Sequence, residues 1–132
     1  VLPSLRRPLG GLAVVALVAA FALIGVVSQA HAATDGPKRC ITGGCVWFTA
    51  YGNVVHVQDT SCDGVSAVAQ VEIPAAGIYD NLWNSDGCGS TDSYSYAYRF
   101  PEGYNVYYRP CVGVFSSHLL TNCLASWTNG VA

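Results

Sequence analysis

Between residues 33 and 132 the side chains best suited to move a proton near neutral pH are His56 and His118. His118 follows Ser116 and Ser117, so a serine nucleophile beside an imidazole can be drawn. Neighbouring residues of a strand point to opposite faces, however, and no G-x-S-x-G elbow frames either serine. His56 alternates with Val55 and Val57, the pattern of a histidine on a strand surface or satisfied in a core. Paired carboxylates for glycoside cleavage would have to come from Asp59, Asp63, Asp80, Asp86, Asp92 and Glu102. Most of these stand in turn contexts, where acids belong for backbone reasons. No catalytic residue is assigned, and the chain reads as non-enzymatic.

Cysteine is the other chemistry on offer. All six, Cys40, Cys45, Cys62, Cys88, Cys111 and Cys123, lie in the downstream part, and their even number in an exported chain of this size argues for three disulfides. Spacing alone does not fix the connectivity. Cys111 with Cys123 would close a short loop, Cys62 with Cys88 would join two turn regions, and Cys40 and Cys45 either pair with each other or reach elsewhere. No C-x2-C pair with histidines at finger spacing is present, so no zinc site is expected.

Export is read from the first 32 residues. Arg6 and Arg7 precede an uncharged apolar run from Leu9 to Val27, and Ala30-His31-Ala32 has the small-x-small form of a cleavage site. The run, about 19 residues, is also just long enough for a membrane anchor, but the cleavage site and the turn-forming residues beyond it favour a signal peptide. Cleavage after Ala32 leaves a secreted chain of about 100 residues, the size of one domain. Its four bases, Lys38, Arg39, Arg99 and Arg109, face eight acids, a net charge of −4. A nucleic-acid partner, which needs clustered lysine and arginine, is excluded, and no membrane contact is expected once the leader is gone.

Residues 33–44 are polar and glycine-bearing and read as a flexible arm; 45–132 reads as the folded domain. Cys45–Tyr51 and Val54–Asp59 are rich in β-branched and aromatic residues and flank a Gly52-Asn53 turn. Val65–Ile73 alternates most cleanly, and Pro74 ends it. Ile78–Trp83 is a further short strand, and a glycine- and serine-rich loop follows. SYSYAYRF (93–100) and the segment from Tyr104 look like the arms of a hairpin across Pro101-Glu102-Gly103. Pro110 marks an edge or bulge, and Leu124–Trp127 closes the sheet. About six to eight short antiparallel strands with turn signals every ten residues or so indicate an all-β fold, a small β-sandwich stapled by disulfides.

SYSYAYRF places Tyr94, Tyr96, Tyr98 and Phe100 on one face of a strand. Packed inward, they supply the large apolar groups that so small a domain needs. Turned outward, they make an aromatic strip for a partner. In a mixed arrangement Tyr94 or Tyr96 emerges beside Trp83. Trp83, Tyr94, Tyr96 and Tyr98 are therefore the candidate binding residues.

Two resemblances bear on function. Asp80-Asn81-Leu82-Trp83-Asn84-Ser85 resembles the calcium signature of the βγ-crystallins, with Asn84 where that family has serine or threonine. A plain turn rich in oxygen donors explains the segment without a metal, and no metal or cofactor is expected. The AYG turn, DTSCDGVSAVAQV, the glycine-rich loop, FPEGYNVYYRPCVGV and the stretch from Cys123 to Trp127 resemble small secreted actinobacterial β-sandwich proteins. Some of those are similar to the adaptor subunit of umbrella-type toxin particles, and the likeness implies an extracellular protein partner and a place in a toxin-like complex. The alternatives are a small inhibitor of a secreted hydrolase, presenting the Asn84–Asp92 loop, and a carbohydrate-binding domain using Trp83 and the tyrosines.

Overall fold

The computed structural model describes residues 32–132, so the leader expected over residues 1–32 lies, apart from Ala32, outside the described residues. In chain order the strands are β1 (Gly36–Ile41), β2 (Gly44–Thr49), β3 (Val54–Asp59), β4 (Ser66–Ile73), β5 (Ile78–Trp83), β6 (Thr91–Ser95), β7 (Asn105–Val114), β8 (Leu119–Cys123) and β9 (Thr128–Val131). They form two antiparallel sheets. One has the order β1-β2-β3-β6; the other runs β5-β4-β7-β8, with β9 also paired to β7. Single 3-10 turns at Pro74–Ala76 and Phe115–Ser117 join neighbouring strands of the second sheet. The fold is a β-sandwich.

Alternation explains its interior. Along β4 the side chains of Ala67, Ala69, Val71 and Ile73 are fully buried and meet Val46, Phe48, Val55 and Val57 of the opposite sheet. Each such valine or larger residue contributes roughly 1.5–3 kcal/mol by leaving water. The other face of β4 carries Gln70 and Glu72, which are half-buried.

Three disulfides staple the sandwich. Cys40–Cys45 and Cys111–Cys123 each bridge directly paired residues, of β1 with β2 and of β7 with β8. Cys62–Cys88 joins the loop after β3 to the loop before β6.

Four expectations need correction. The arm at 33–44 is strand for half its length, because β1 pairs with β2 and Tyr108 anchors it by donating its hydroxyl to the Pro37 carbonyl at 2.7 Å. SYSYAYRF leaves the sheet at Tyr96, and Ala97 and Tyr98 form a turn. Pro101-Glu102-Gly103 is no hairpin loop, since β6 pairs with β3 and β7 with β4, in different sheets. The final strand is Thr128–Val131, and Leu124–Trp127 is the link before it.

Pro110 sits at a local edge, a gap in the ladder on one side of β7, and not in a bulge. On one side of β7, β9 pairs with residues 105–108 and β8 with residues 111–114, and Pro110 falls at the seam between them. Its carbonyl accepts the Leu124 amide at 2.9 Å, so the side that lacks an N–H faces the break in the ladder, where no donor is required.

Candidate functional site

The residues with chemical potential are dispersed. His56 lies on the outer face of the first sheet, stacked on Trp47 with ring centroids 4.9 Å apart. Its Nδ1 is 2.8 Å from Ser93 Oγ and its Nε2 3.0 Å from Thr49 Oγ1. Burial lowers its pKa below the ordinary histidine value. Both ring nitrogens thus meet hydroxyls, unlike the histidine of a Ser-His-Asp triad, whose Nδ1 is held by a carboxylate. Ser116 and Ser117 belong to the turn after β7. His118 follows in left-handed backbone, with its ring 5.3 Å from Trp83.

The acids act mainly on the backbone. Asp59 accepts the Ser61 amide, Asp63 the Val65 amide and Asp92 the Ser85 amide. Asp80–Trp83 belongs to strand β5, as the short strand expected over Ile78–Trp83 has it, and not to the oxygen-rich turn set against a calcium site. Asp80 accepts the Tyr96 hydroxyl at 2.7 Å. Asn84 is fully buried: its amide donates to the Val57 and Ser90 carbonyls, and its oxygen accepts from the Gly87 amide and the Ser90 hydroxyl. That side chain pins the loop before β6. Among the described residues no group of three or more His, Cys, Asp or Glu side chains could hold a metal ion.

The four candidate binding residues separate. Trp83 is 7 % exposed, covered by Phe115 and His118, which corrects its reading as an open ring for a sugar. Tyr94 is half-buried and donates its hydroxyl to the Trp83 carbonyl. Tyr96 is 1 % exposed, and burial foremost, with the Asp80 carboxylate, holds its phenol far above the usual range. Tyr98, two residues on, is fully exposed.

What displays Tyr98 is a pair of interlocked turns. The Tyr96 amide donates to the Asn53 carbonyl at 2.8 Å, and the Ser95 hydroxyl to the Gly52 carbonyl at 2.9 Å. The 96–99 turn closes through the Arg99 amide on the Tyr96 carbonyl at 3.0 Å. Tyr96 and Phe100 plunge into the core on either side, and the backbone between them turns left-handed at Tyr98, with φ of 65°. A bulky residue adopts that conformation only when its surroundings enforce it, at a cost of order 1–3 kcal/mol.

Tyr51, 94 % exposed, stands on the facing turn. Tyr51, Tyr98, Asn53, Glu102 and Ala33 line an open hollow of about 440 Å3. Asn53 is itself buried in left-handed backbone; its Nδ2 lies 3.5 Å from Glu102 Oε1, and its Oδ1 is buried without a partner.

No protein family, curated protein or solved structure matches this chain. Its site must be read from its own geometry. Of the residues around this hollow, Tyr98 alone was an expected binding residue; Glu102 was expected only among carboxylates for glycoside cleavage and Asn53 only as a turn residue. Tyr51 had a signal: it precedes Gly52-Asn53, and a residue at the crest of a turn faces solvent. Nothing signalled that Asn53 and Glu102 would meet there, because the tyrosine loop meets the β2–β3 turn only through the fold.

Proposed function

We propose that this chain is a secreted, non-enzymatic interaction module that works by surface contact with an extracellular protein partner. The observation that carries the reading is Tyr98: a large aromatic side chain fully exposed, on strained backbone, between two neighbours sunk in the core. A tyrosine held out in water on strained backbone, where packing it inward would remove apolar area from water, supports a contact role. Tyrosine on a rigid turn supplies contact area with little rotamer entropy to lose, the property that makes it common in binding surfaces. The turn-and-cysteine pattern similar to adaptor subunits of umbrella-type toxin particles supports the same role and suggests a toxin-like assembly as its setting.

The test is affinity capture of the tagged protein from the producing cells' culture medium, alongside a Tyr51→Ala/Tyr98→Gly variant. We expect the wild type to bring down a partner in fixed stoichiometry and the variant to lose it while keeping its melting temperature. Equal recovery of the partner by both proteins would refute the reading.

A further inference from the structure

We infer that the Cys40–Cys45 disulfide is a site of thiol–disulfide exchange that takes an anionic low-molecular-weight thiol onto Cys40. The inference is independent of the contact reading above and assigns chemistry to the outer face of the first sheet. Exchange begins when a thiolate reaches one sulfur of a disulfide, so access, neighbouring charge and the loop held closed decide which of the three bridges opens. Cys111–Cys123 fails on access, because Cys111 is fully buried among Val68 and Trp83. Cys62–Cys88 is exposed, but the loops it joins carry Asp59, Asp63 and Asp86, and no lysine, arginine or histidine occurs from residue 59 to residue 98. A thiolate is repelled there. Its cysteines are also 26 positions apart, the longest of the three loops, so opening it gives up the most constraint on the unfolded chain.

Cys40–Cys45 differs in each respect. Cys40 is exposed on the edge strand β1, and only 5 positions separate the two cysteines. Cys45 lies opposite Cys40 on one side and Gln58 on the other. The Lys38 ammonium donates to Gln58 Oε1 at 2.6 Å, so a cation stands beside this row of the sheet. The rows Gln58–Thr91 and Trp47–His56–Ser93 bring no carboxylate to the same face. Positive charge there draws in a thiolate and favours the thiolate that leaves. Attack falls on Cys40, because Cys45 is 7 % exposed. A lone pair of the incoming sulfur forms a bond to Cys40 Sγ, the Cys40–Cys45 bond breaks, and its electron pair leaves on Cys45 Sγ, which then takes a proton from water. The incoming thiol is oxidised to a mixed disulfide and Cys45 is reduced, so the step needs no other oxidant or reductant. Strand β1 stays in place meanwhile, held by the Tyr108 hydroxyl on Pro37 and by the paired Thr34 and Val131 main chains. Cys45 therefore remains near enough to attack the mixed disulfide and restore the bridge.

The test exposes the folded, oxidised protein to 2-sulfanylethanesulfonate, quenches with acid at intervals, alkylates the free thiols and maps them by mass spectrometry. We expect an adduct on Cys40 and a free thiol at Cys45, formed at least about tenfold faster than a thiol at any other cysteine. Lys38→Gln, a change on an exposed side chain, should slow this step about two- to threefold at low salt, and added salt should erase the difference. Replacing Cys40 and Cys45 together by serine should abolish the fast phase and leave the slower openings at their own rates. A first adduct at Cys62 or Cys88, opening of all three bridges at one rate, or a Lys38→Gln rate equal to the wild type's at low salt would overturn the inference.

Discussion

The two ends of the sandwich are built on opposite terms. At the end reached by Asp59, Trp83 and Val114, all three disulfides lie close by. Cys45 is paired with Gln58 and Cys111 with Val68, both near that edge of their strands, and Cys62–Cys88 crosses the loops beyond it. Aromatic rings there close on one another: Trp83 packs edge-on against Phe115 and His118. Gly113 leaves room for the tryptophan, since a Cβ at that position would come within 2.8 Å of the ring. The other end, around Tyr51 and Tyr98, has no disulfide and is held by main-chain bonds between two turns. The Tyr51 and Tyr98 rings there are left open. An aromatic residue is available to a partner when its neighbours give it nothing to pack on; Tyr51 and Tyr98 meet that condition fully, whereas Phe115, 46 % exposed, is partly covered by Trp83 and His118.

The comparison breaks most severely at Trp83. Trp83→Ala should cost about 3–5 kcal/mol in a denaturant titration, because the cavity lies over a disulfide and β4 and cannot collapse. Tyr98→Gly should leave stability unchanged or raise it by about 1 kcal/mol, since glycine accepts left-handed backbone without strain. A large loss at Tyr98 would show that its ring is part of the fold.

Replacing Cys62 and Cys88 together by serine should cost about 2–4 kcal/mol, mainly by freeing the unfolded chain. Partner binding at the far end should survive, measured below the variant's melting temperature. Tyr96→Phe sharpens the contrast within one loop. It removes the hydrogen bond to Asp80 and should cost about 1–2 kcal/mol, whereas Tyr98→Phe should cost under about 0.5 kcal/mol.

The smallest effects are read by pH. Burial pushes the Tyr108 phenol up to about 12. A phenol that ionises less readily when folded makes a contribution that is intact below pH 10 and is lost as pH rises toward 12. A denaturation series across that window should show the decline, and Tyr108→Phe should flatten its share while losing the bond to Pro37. Desolvation of His56 acts in the opposite sense: its neutral form is favoured in the fold, so stability should slip as pH falls below about 6.5.

Much of this architecture was legible because it is local. The alternation of Val65 to Ile73, the proline that stops it and the even cysteines each reflect a constraint acting within a few residues. The tyrosine row misled for an instructive reason. A period of two continues through Tyr96, Tyr98 and Phe100, but the last two steps are a turn, and no Gly, Asn or Asp announces it. The bend is imposed by Asn53, more than forty positions earlier, whose carbonyl takes the Tyr96 amide. Strand β1 was missed likewise: its polar sequence becomes a strand only because β2 offers a partner. The rim of the hollow, assembled from residues 33, 51, 53, 98 and 102, has no signature along the chain.

Hydrogen–deuterium exchange on the captured complex, compared with the free protein, tests the central claim most directly. Contact through the tyrosine-bearing end predicts new protection at residues 50–53 and 96–103 and none at 114–120. Protection confined to the turn around Phe115 and Leu119, with the Tyr51 and Tyr98 turns exchanging as before, would contradict it.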